Sequence, residues 1–358
     1  MQAILSFLTR FILGGTILVY SLAAVGAEPT APAPPPPGKL YEVGGHKMHL
    51  HRTGTGGPTV VLEAGAGAFS VDWYLVQQEV EKFTSVCSYD RAGHAWSELG
   101  PRPRTMRQAV ADLHRLLAQA AIPGPYILVG HSMGGLLVRL FANEYPNQVA
   151  GMVLVDSGFE NSYANIDGKF VRAWDSAKPR VVPAAREKIN DEERVLTTPE
   201  LEGYQQFLKW AGPPTIEEPF TKLPEPIQKL RLWAASLPQS MVTDYNPYGG
   251  EELILLFAER LRLEHPLGVK PLAVLTRKSQ THSPEPGSTQ KDMERVEQAR
   301  VEGQHDLKNL SNNSIFVESA YPVHEIHLTQ PDLVVKAIQR VLESVKTGSP
   351  ITPLPVDH

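Results

Sequence analysis

From residue 39 onward, short apolar runs alternate with stretches whose apolar residues recur at helical spacing. That rhythm predicts a layered α/β fold. Residues 41–43 and 47–51 predict a hairpin around Gly44-Gly45. Residues 59–62 (TVVL) predict a short buried strand ended by Gly65 and Gly67. A helix follows over 72–83, with Ser70 or Asp72 as its cap, then a strand over 85–89 closed by Asp90-Arg91-Ala92-Gly93. Residues 106–121 carry Val110, Leu113, Leu116 and Leu117 on one helical face, and Pro123-Gly124-Pro125 stops them. A strand over 126–129, a helix over 133–144 and a strand over 152–155 complete this part.

The rhythm then breaks. Residues 157 to about 267 show no strand pattern, only helical stretches such as 200–210 and 251–264, punctuated by Pro213-Pro214, Pro219 and Pro224. A strand-free stretch inside an α/β pattern predicts an inserted helical lid, residues 157–268. The pattern resumes with a strand over 271–276, a helix over 291–310, a strand over 314–317 and a helix over 332–345. The expected organisation is therefore a core of 39–156 and 269–346, the lid between them, and a disordered tail over 347–358. No internal repeat is visible.

The chain ahead of this body reads differently. Residues 11–26 carry no charge, Arg10 is the only basic residue before them, and Val25-Gly26-Ala27 offers small residues ahead of Glu28. The run is shorter than the ~20 residues of a spanning helix. Residues 1–27 are thus expected to be a signal peptide for export to the periplasm or beyond. The alternative is an uncleaved membrane anchor, since residues 1–8 are also apolar. Residues 28–38 hold PTAPAPPPPG, whose proline content favours an extended spacer.

Composition narrows the chemistry. The 358 residues hold 34 basic and 39 acidic side chains, net −5. That balance excludes a strongly basic nucleic-acid binder. With 42% hydrophobic and 20% charged residues the chain can bury a large core. One cysteine, Cys87, excludes an internal disulfide, a cysteine zinc cluster and an iron–sulfur site. Nothing resembles a phosphate loop or a dinucleotide fingerprint.

Gly130-His131-Ser132-Met133-Gly134 is a G-x-S-x-G between a predicted strand and a predicted helix. A serine on such a turn sits at strained backbone angles, and side chains at Gly130 and Gly134 would collide. The turn also puts the hydroxyl at a helix N-terminus, whose free N–H groups favour a developing anion. A serine nucleophile needs a base, and His324 and His327 both lie between the last strand and the last helix. It also needs a carboxylate to orient that base. Asp156 ends the strand after the serine's helix and is the candidate, with Asp292 and Glu285 as alternatives, because no acid follows residue 276 until Glu285. Oxyanion donors are expected at the amides of Met133 and of Ala66, the latter preferred over Gly67.

The segments LEAGAGAFSVDW, SYDRAGHAWS, YILVGHSMGG, GMVLVDS and VHEIHLTQPDLVVKAI resemble the α/β-hydrolase superfamily over essentially all of 39–345. The resemblance implies a mostly parallel central sheet flanked by helices, and the residue order Ser132, Asp156, His324. It places the base at the first histidine of VHEIHLTQP, which makes His327 a neighbour. Two features depart from the family pattern. The histidine that many members carry before the oxyanion glycine is replaced, leaving Glu63-Ala64-Gly65, and the usual aspartate near Arg277 is absent. Certain haloalkane dehalogenases place the acid where Asp156 falls, but they and epoxide hydrolases use an aspartate nucleophile, against which Ser132 argues. The implied activity is hydrolysis of a small acyl substrate, foremost a carboxylic ester, without metal or organic cofactor. Amidase, lactonase, carbon–carbon hydrolase or acyltransferase chemistry, and a non-catalytic binding protein, are the alternatives. Oligomeric state is not readable.

Three further features have plainer readings. His49 and His51, with His46 nearby, read as an exposed hairpin rather than a metal site. Asp90-Arg91 reads as a paired turn at the sheet edge, with lining of the pocket as the alternative. Phe69, Trp73, Trp174, Phe207, Trp210 and Trp233 are candidates for an apolar pocket under the lid.

Overall fold

Strands buried on both faces need a layer of helices on each. β3 (Val60–Glu63), β4 (Val86–Tyr89) and β5 (Tyr126–His131) are buried at every position. In the computed structural model they form the centre of an eight-stranded sheet of order β1-β2-β4-β3-β5-β6-β9-β10. The other strands are β1 (Lys39–Glu42), β2 (Lys47–Thr53), β6 (Val149–Val155), β9 (Leu272–Thr276) and β10 (Ser314–Glu318). β1–β2 and β2–β4 pair antiparallel, and every other pair in this sheet is parallel. The structure describes residues 33–166, 169–172, 180–284 and 288–354. The expected leader (1–27), most of the spacer, Trp174 and Glu285 lie outside the described residues.

Alternate side chains of each strand feed opposite layers. Val61 and Leu128 pack with Leu113, Leu116 and Phe141 of α2 (Met106–Gln119) and α3 (Met133–Glu144). Val60, Leu62, Ile127 and Val129 pack with Val76, Val80, Ile338 and Val341 of α1 (Tyr74–Val80) and α9 (Pro331–Thr347). Each fully buried aliphatic side chain contributes roughly 1.5–3 kcal/mol. A parallel sheet places all these strand ends at one edge, where α/β folds carry their sites.

Between β6 and β9 the expected strand-free stretch contains an antiparallel hairpin, β7 (Tyr163–Ile166) with β8 (Lys169–Arg172). Its strands are four residues each and lack the alternation that marks a strand in sequence. The Arg172 guanidinium lies 4.9 Å over the Tyr163 ring, a cross-strand pair that holds the ends together. Helices α4 (Thr198–Ala211), α5 (Glu225–Ala235), α6 (Pro238–Thr243) and α7 (Gly249–Arg262) follow. Later comes α8 (Gln290–Leu307).

Two other expectations change. The helix expected from residue 72 begins with a 3₁₀ turn, Ser70–Trp73. Asp72 is turned inward there, accepting the Phe69 N–H at 3.0 Å and pairing with Arg231 Nε at 2.9 Å. The tail expected to be disordered packs through residue 354. Ile351 and Leu354 are buried against the α9 layer, and the Ile351 N–H donates to Asn313 Oδ1 at 2.8 Å.

The segment between β6 and β9 is tied to the core through buried polar bonds. Glu252 of α7 accepts the Met106 and Arg107 N–H groups, both at 2.8 Å, at the start of α2. It thereby satisfies first-turn donors that no helical carbonyl reaches. Glu252→Ala leaves those buried donors unpartnered and is expected to lower unfolding free energy by about 1–3 kcal/mol, read from urea denaturation.

Candidate active site

β5 ends and α3 begins around a single residue. Ser132 has φ +53° and ψ −122°, a left-handed conformation that costs a non-glycine residue of order 1–3 kcal/mol. The strain persists because the surroundings leave no room to relax. A Cβ on Gly130 would stand 2.5 Å from the Gly134 carbonyl oxygen, and one on Gly134 would stand 2.5 Å from the Glu63 carbonyl oxygen. The Ser132 N–H donates to Val155 O at 3.2 Å, and its carbonyl accepts the Gly158 N–H at 2.8 Å. The turn is thus wedged between the ends of β3 and β6.

Asp156 follows β6 directly and also has positive φ, +38°. Its Oδ2 meets His324 Nδ1 at 2.6 Å. Its Oδ1 accepts the Arg277 N–H at 3.1 Å, Thr276 Oγ1 at 3.3 Å and Arg300 Nη1 at 3.4 Å. The Arg277 Nε is 3.6 Å from Oδ2. Burial pushes this carboxyl up. The bond to His324 and the charges of His324, Arg300 and Arg277 outweigh it and hold Asp156 below its ordinary value. Glu297 balances the two arginines, accepting Arg277 Nη2 at 2.8 Å and Arg300 Nη2 at 2.9 Å. For His324, burial pulls downward, but the hydrogen bond and charge of Asp156, aided by Glu325, raise it above 6.5. Asp292, the alternative acid, is instead the capping partner of Thr289 at the start of α8, where Thr289 Oγ1 donates to it at 2.6 Å. The other, Glu285, lies outside the described residues.

Two more histidines crowd His324. The His131 ring centroid is 4.5 Å from those of His324 and His327. His131 Nε2 donates to the His324 carbonyl at 3.1 Å, tying the histidine loop to the serine turn. Burial and the neighbouring rings push His131 well below its ordinary value. Burial first, then the charges of His324 and Arg231, push His327 down to about 3, and its ring lies 4.7 Å from that of Trp73. Neutral neighbours leave the charge to His324.

The turn after β3 closes the other side. A Cβ on Gly65 would stand 3.2 Å from Ser132 Cβ, so this turn needs glycine to approach so closely. Ala66 and Gly67 follow, exposed, and the Gly67 N–H is bonded to the Asp244 carboxylate. Met133 opens α3, so its N–H has no intrahelical acceptor. Beneath the turn, Arg91 donates to Glu63 Oε1, and Glu63 also accepts the Tyr89 hydroxyl. Two pockets lie at this turn. One is lined by Ser132, Asp156 and His324 with Phe159, Tyr163 and Gln304. The other is lined by Met133, Arg91, Met106, Leu137 and Asp244 among others.

Several expected roles change on this geometry. The histidine hairpin is not exposed. His46 and His49 are buried, and His49 Nδ1 bonds Asp90 Oδ2 at 2.7 Å. Asp90 also accepts the Ser70 N–H at 2.8 Å, so it pairs with these groups and not with Arg91. Arg91 instead lines the cavity beside Met133. Of the aromatic candidates, Trp73 belongs to the α9-side core and Phe69 packs with Trp233, while Trp210 is 70% exposed. Among the described residues no three His, Cys, Asp or Glu side chains group as a metal site, and no helix is long and apolar enough to cross a membrane.

Residues 58–189 match the family model described as alpha/beta hydrolase fold. The chain has the α/β-hydrolase fold. The chain is 36% identical over 119 residues to a protein named Uncharacterized protein YqjL of Bacillus subtilis strain 168, covering 33% of this chain and 47% of that one. The chain thus spans about half the length of that relative. It is 23% identical over 304 residues to an AB hydrolase superfamily protein of Gibberella zeae, covering 81% of this chain and 87% of that one. Among solved structures it resembles a thermophilic esterase from Thermogutta terrifontis, with TM-score 0.54, 20% identity, and coverage of 86% of this chain and 99% of that one.

The serine turn depends on glycine at a backbone crossing. Gly134→Ala forces β3 and α3 apart and is expected to cost about 1–3 kcal/mol of stability, read as a lowered urea midpoint.

Proposed function

We propose that this protein is a serine hydrolase that cleaves an acyl bond, with a carboxylic ester as its substrate class. The observation that carries the reading is that the strained Ser132 turn and the Asp156–His324 couple open onto one cavity. Asp156 occupies Nδ1 of His324, which leaves Nε2 as the nitrogen able to act as base. Ser132 Oγ attacks the acyl carbon while His324 Nε2 takes its proton. The carbonyl oxygen becomes an oxyanion, received by the N–H groups of Ala66 and Met133. His324 returns the proton to the leaving alcohol, and the acyl-enzyme forms. Water, deprotonated by the same ring, releases the acid and frees Ser132. Asp156 stays ionised throughout, holding the imidazole in one tautomer and supporting its transient charge. Residues 157–268 act as the lid that shapes the substrate's room. The esterase named above supports the ester class by likeness of fold.

Ser132→Ala removes the nucleophile. It is expected to abolish labelling by a fluorophosphonate, read by intact mass, and to lower ester turnover on the order of 10⁶-fold. Near-normal turnover by that variant would sink the reading. A folded wild type that takes no label would favour a binding protein that keeps the pocket.

Asp156→Asn keeps the shape but offers the wrong hydrogen-bonding edge to His324. Turnover is expected to fall roughly 10⁴-fold in a protein that stays folded. In the wild type, His324 must be neutral to accept the serine proton. Because Asp156 raises it, kcat/KM should fall with decreasing pH through a midpoint above the ordinary histidine value of 6.5. A midpoint at or below 6.5 contradicts the proposed base.

A further inference from the structure

Arg91 spends its guanidinium on the turn that faces Ser132. Nη1 donates to Ala64 O at 2.7 Å, and Nη2 donates to Gly65 O at 2.6 Å. Two successive carbonyls are therefore pinned by one planar, two-pronged group. A trans peptide is planar, and its C=O and following N–H point in opposite directions. Pinning Gly65 O turns the Ala66 N–H away from the guanidinium. The next amide, Gly67 N–H, is already taken by Asp244. Of the two amides the turn offers, that of Ala66 is the one left for a ligand, and its peptide begins at the glycine that touches Ser132.

We infer that Arg91 is a positioning residue for the oxyanion: by holding the carbonyls of Ala64 and Gly65 it fixes the direction of the Ala66 N–H. The inference rests on the Ser132 reading above. Glu63, which Arg91 meets at 2.9 Å, balances the charge, and the carbonyls of Ala64 and Gly65 take further N–H donors of the buried fork, so turn and guanidinium fix each other. Arg91 is itself held from two sides, by Glu63 at the end of β3 and by Asp244 Oδ1 at 3.3 Å. His94 Nε2 stands 3.3 Å from the same Asp244 oxygen. Asp244 follows α6, so the segment between β6 and β9 braces the turn that the core strand carries. Lysine at 91 would keep the charge but lacks the fork that holds two carbonyls at once.

The test compares p-nitrophenyl acetate with its thionoacetate analogue, whose C=S sulfur accepts hydrogen bonds poorly and gains little from an oxyanion amide. In Arg91→Lys and Arg91→Gln, kcat/KM for the oxo ester is expected to fall on the order of 10²-fold, the loss typical of one oxyanion donor. The thiono ester should fall far less, so the oxo-to-thiono ratio drops by roughly tenfold or more. Asp244→Asn keeps an acceptor for Gly67 and loses the charge on Arg91. It should shift the ratio in the same direction by less, and it serves if the Arg91 variants fail to fold by circular dichroism. An active wild type whose folded variants lose both esters equally, or neither, overturns the inference alone. A wild type that hydrolyses neither ester and takes no fluorophosphonate overturns the Ser132 reading, and the inference falls with it.

Discussion

The crossing at Ser132 is the constraint on which the site depends. β5 must turn into α3 within one residue while β3 and β6 press from either side. Glycine at 130, 134 and 135 is the only side-chain-free solution, since added Cβ atoms would meet neighbouring heavy atoms at 2.5, 2.5 and 1.9 Å. That crowding holds Ser132 at positive φ, and the same crowding brings its neighbours close. Gly65 touches it from β3, and Gly158 bonds its carbonyl from beyond β6. Nothing about the serine alone creates the site. The parallel register of β3, β5, β6 and β9 delivers the remaining groups to the same edge.

Electrostatics then decides which of those groups carries charge. Asp156 and Glu297 face Arg277 and Arg300, two anions with two cations, all largely buried. Removing one partner from such a set strands a buried charge at a cost of about 3–5 kcal/mol. The arrangement therefore keeps Asp156 ionised where burial alone would neutralise it. On the other side of His324 stand two rings that burial keeps neutral, His131 and His327. A second imidazolium there would repel the first. The surroundings thus favour the proton on one ring near Ser132, that of His324, and disfavour it on the two beside it.

What sequence alone made legible follows the range of the interaction. The strand–turn–helix around Ser132 was legible because its causes are local: apolar runs, glycine spacing and a helix start within 20 residues. Asp156 was singled out by its place at a strand end and His324, over His327, only through the family resemblance; the two meet at 2.6 Å. The support around them was not legible. Arg300 reaches Asp156 across 144 residues from a helix whose pattern is mostly polar, and nothing in its spacing distinguishes a buried arginine from a solvated one. The histidine hairpin was misread for a related reason. His49 alternates as an exposed strand residue would, and only the arrival of Asp90 from β4's end makes burial tolerable. The β7–β8 hairpin was missed because four-residue strands held by an Arg–Tyr contact show no period.

The place of the carboxylate that meets His324 has a physical account that joins these points. The family pattern expects a carboxylate after β9, where this chain has Arg277. β6 and β9 are paired neighbours, Val155 opposite Leu275, so their ends lie about one strand spacing of 4.8 Å apart. A carboxylate leaving either end can reach the same imidazole. In this chain the carboxylate leaves from β6 as Asp156, and Arg277 at the end of β9 meets it twice: its backbone N–H bonds Asp156 Oδ1, and its guanidinium stands beside Oδ2. The positive φ of Asp156 belongs to the same arrangement, because the chain must bend sharply at the strand end to aim the carboxylate back along the edge. The bend and the arginine thus act on one carboxylate: the bend aims Asp156 at His324, and Arg277 favours its charged form.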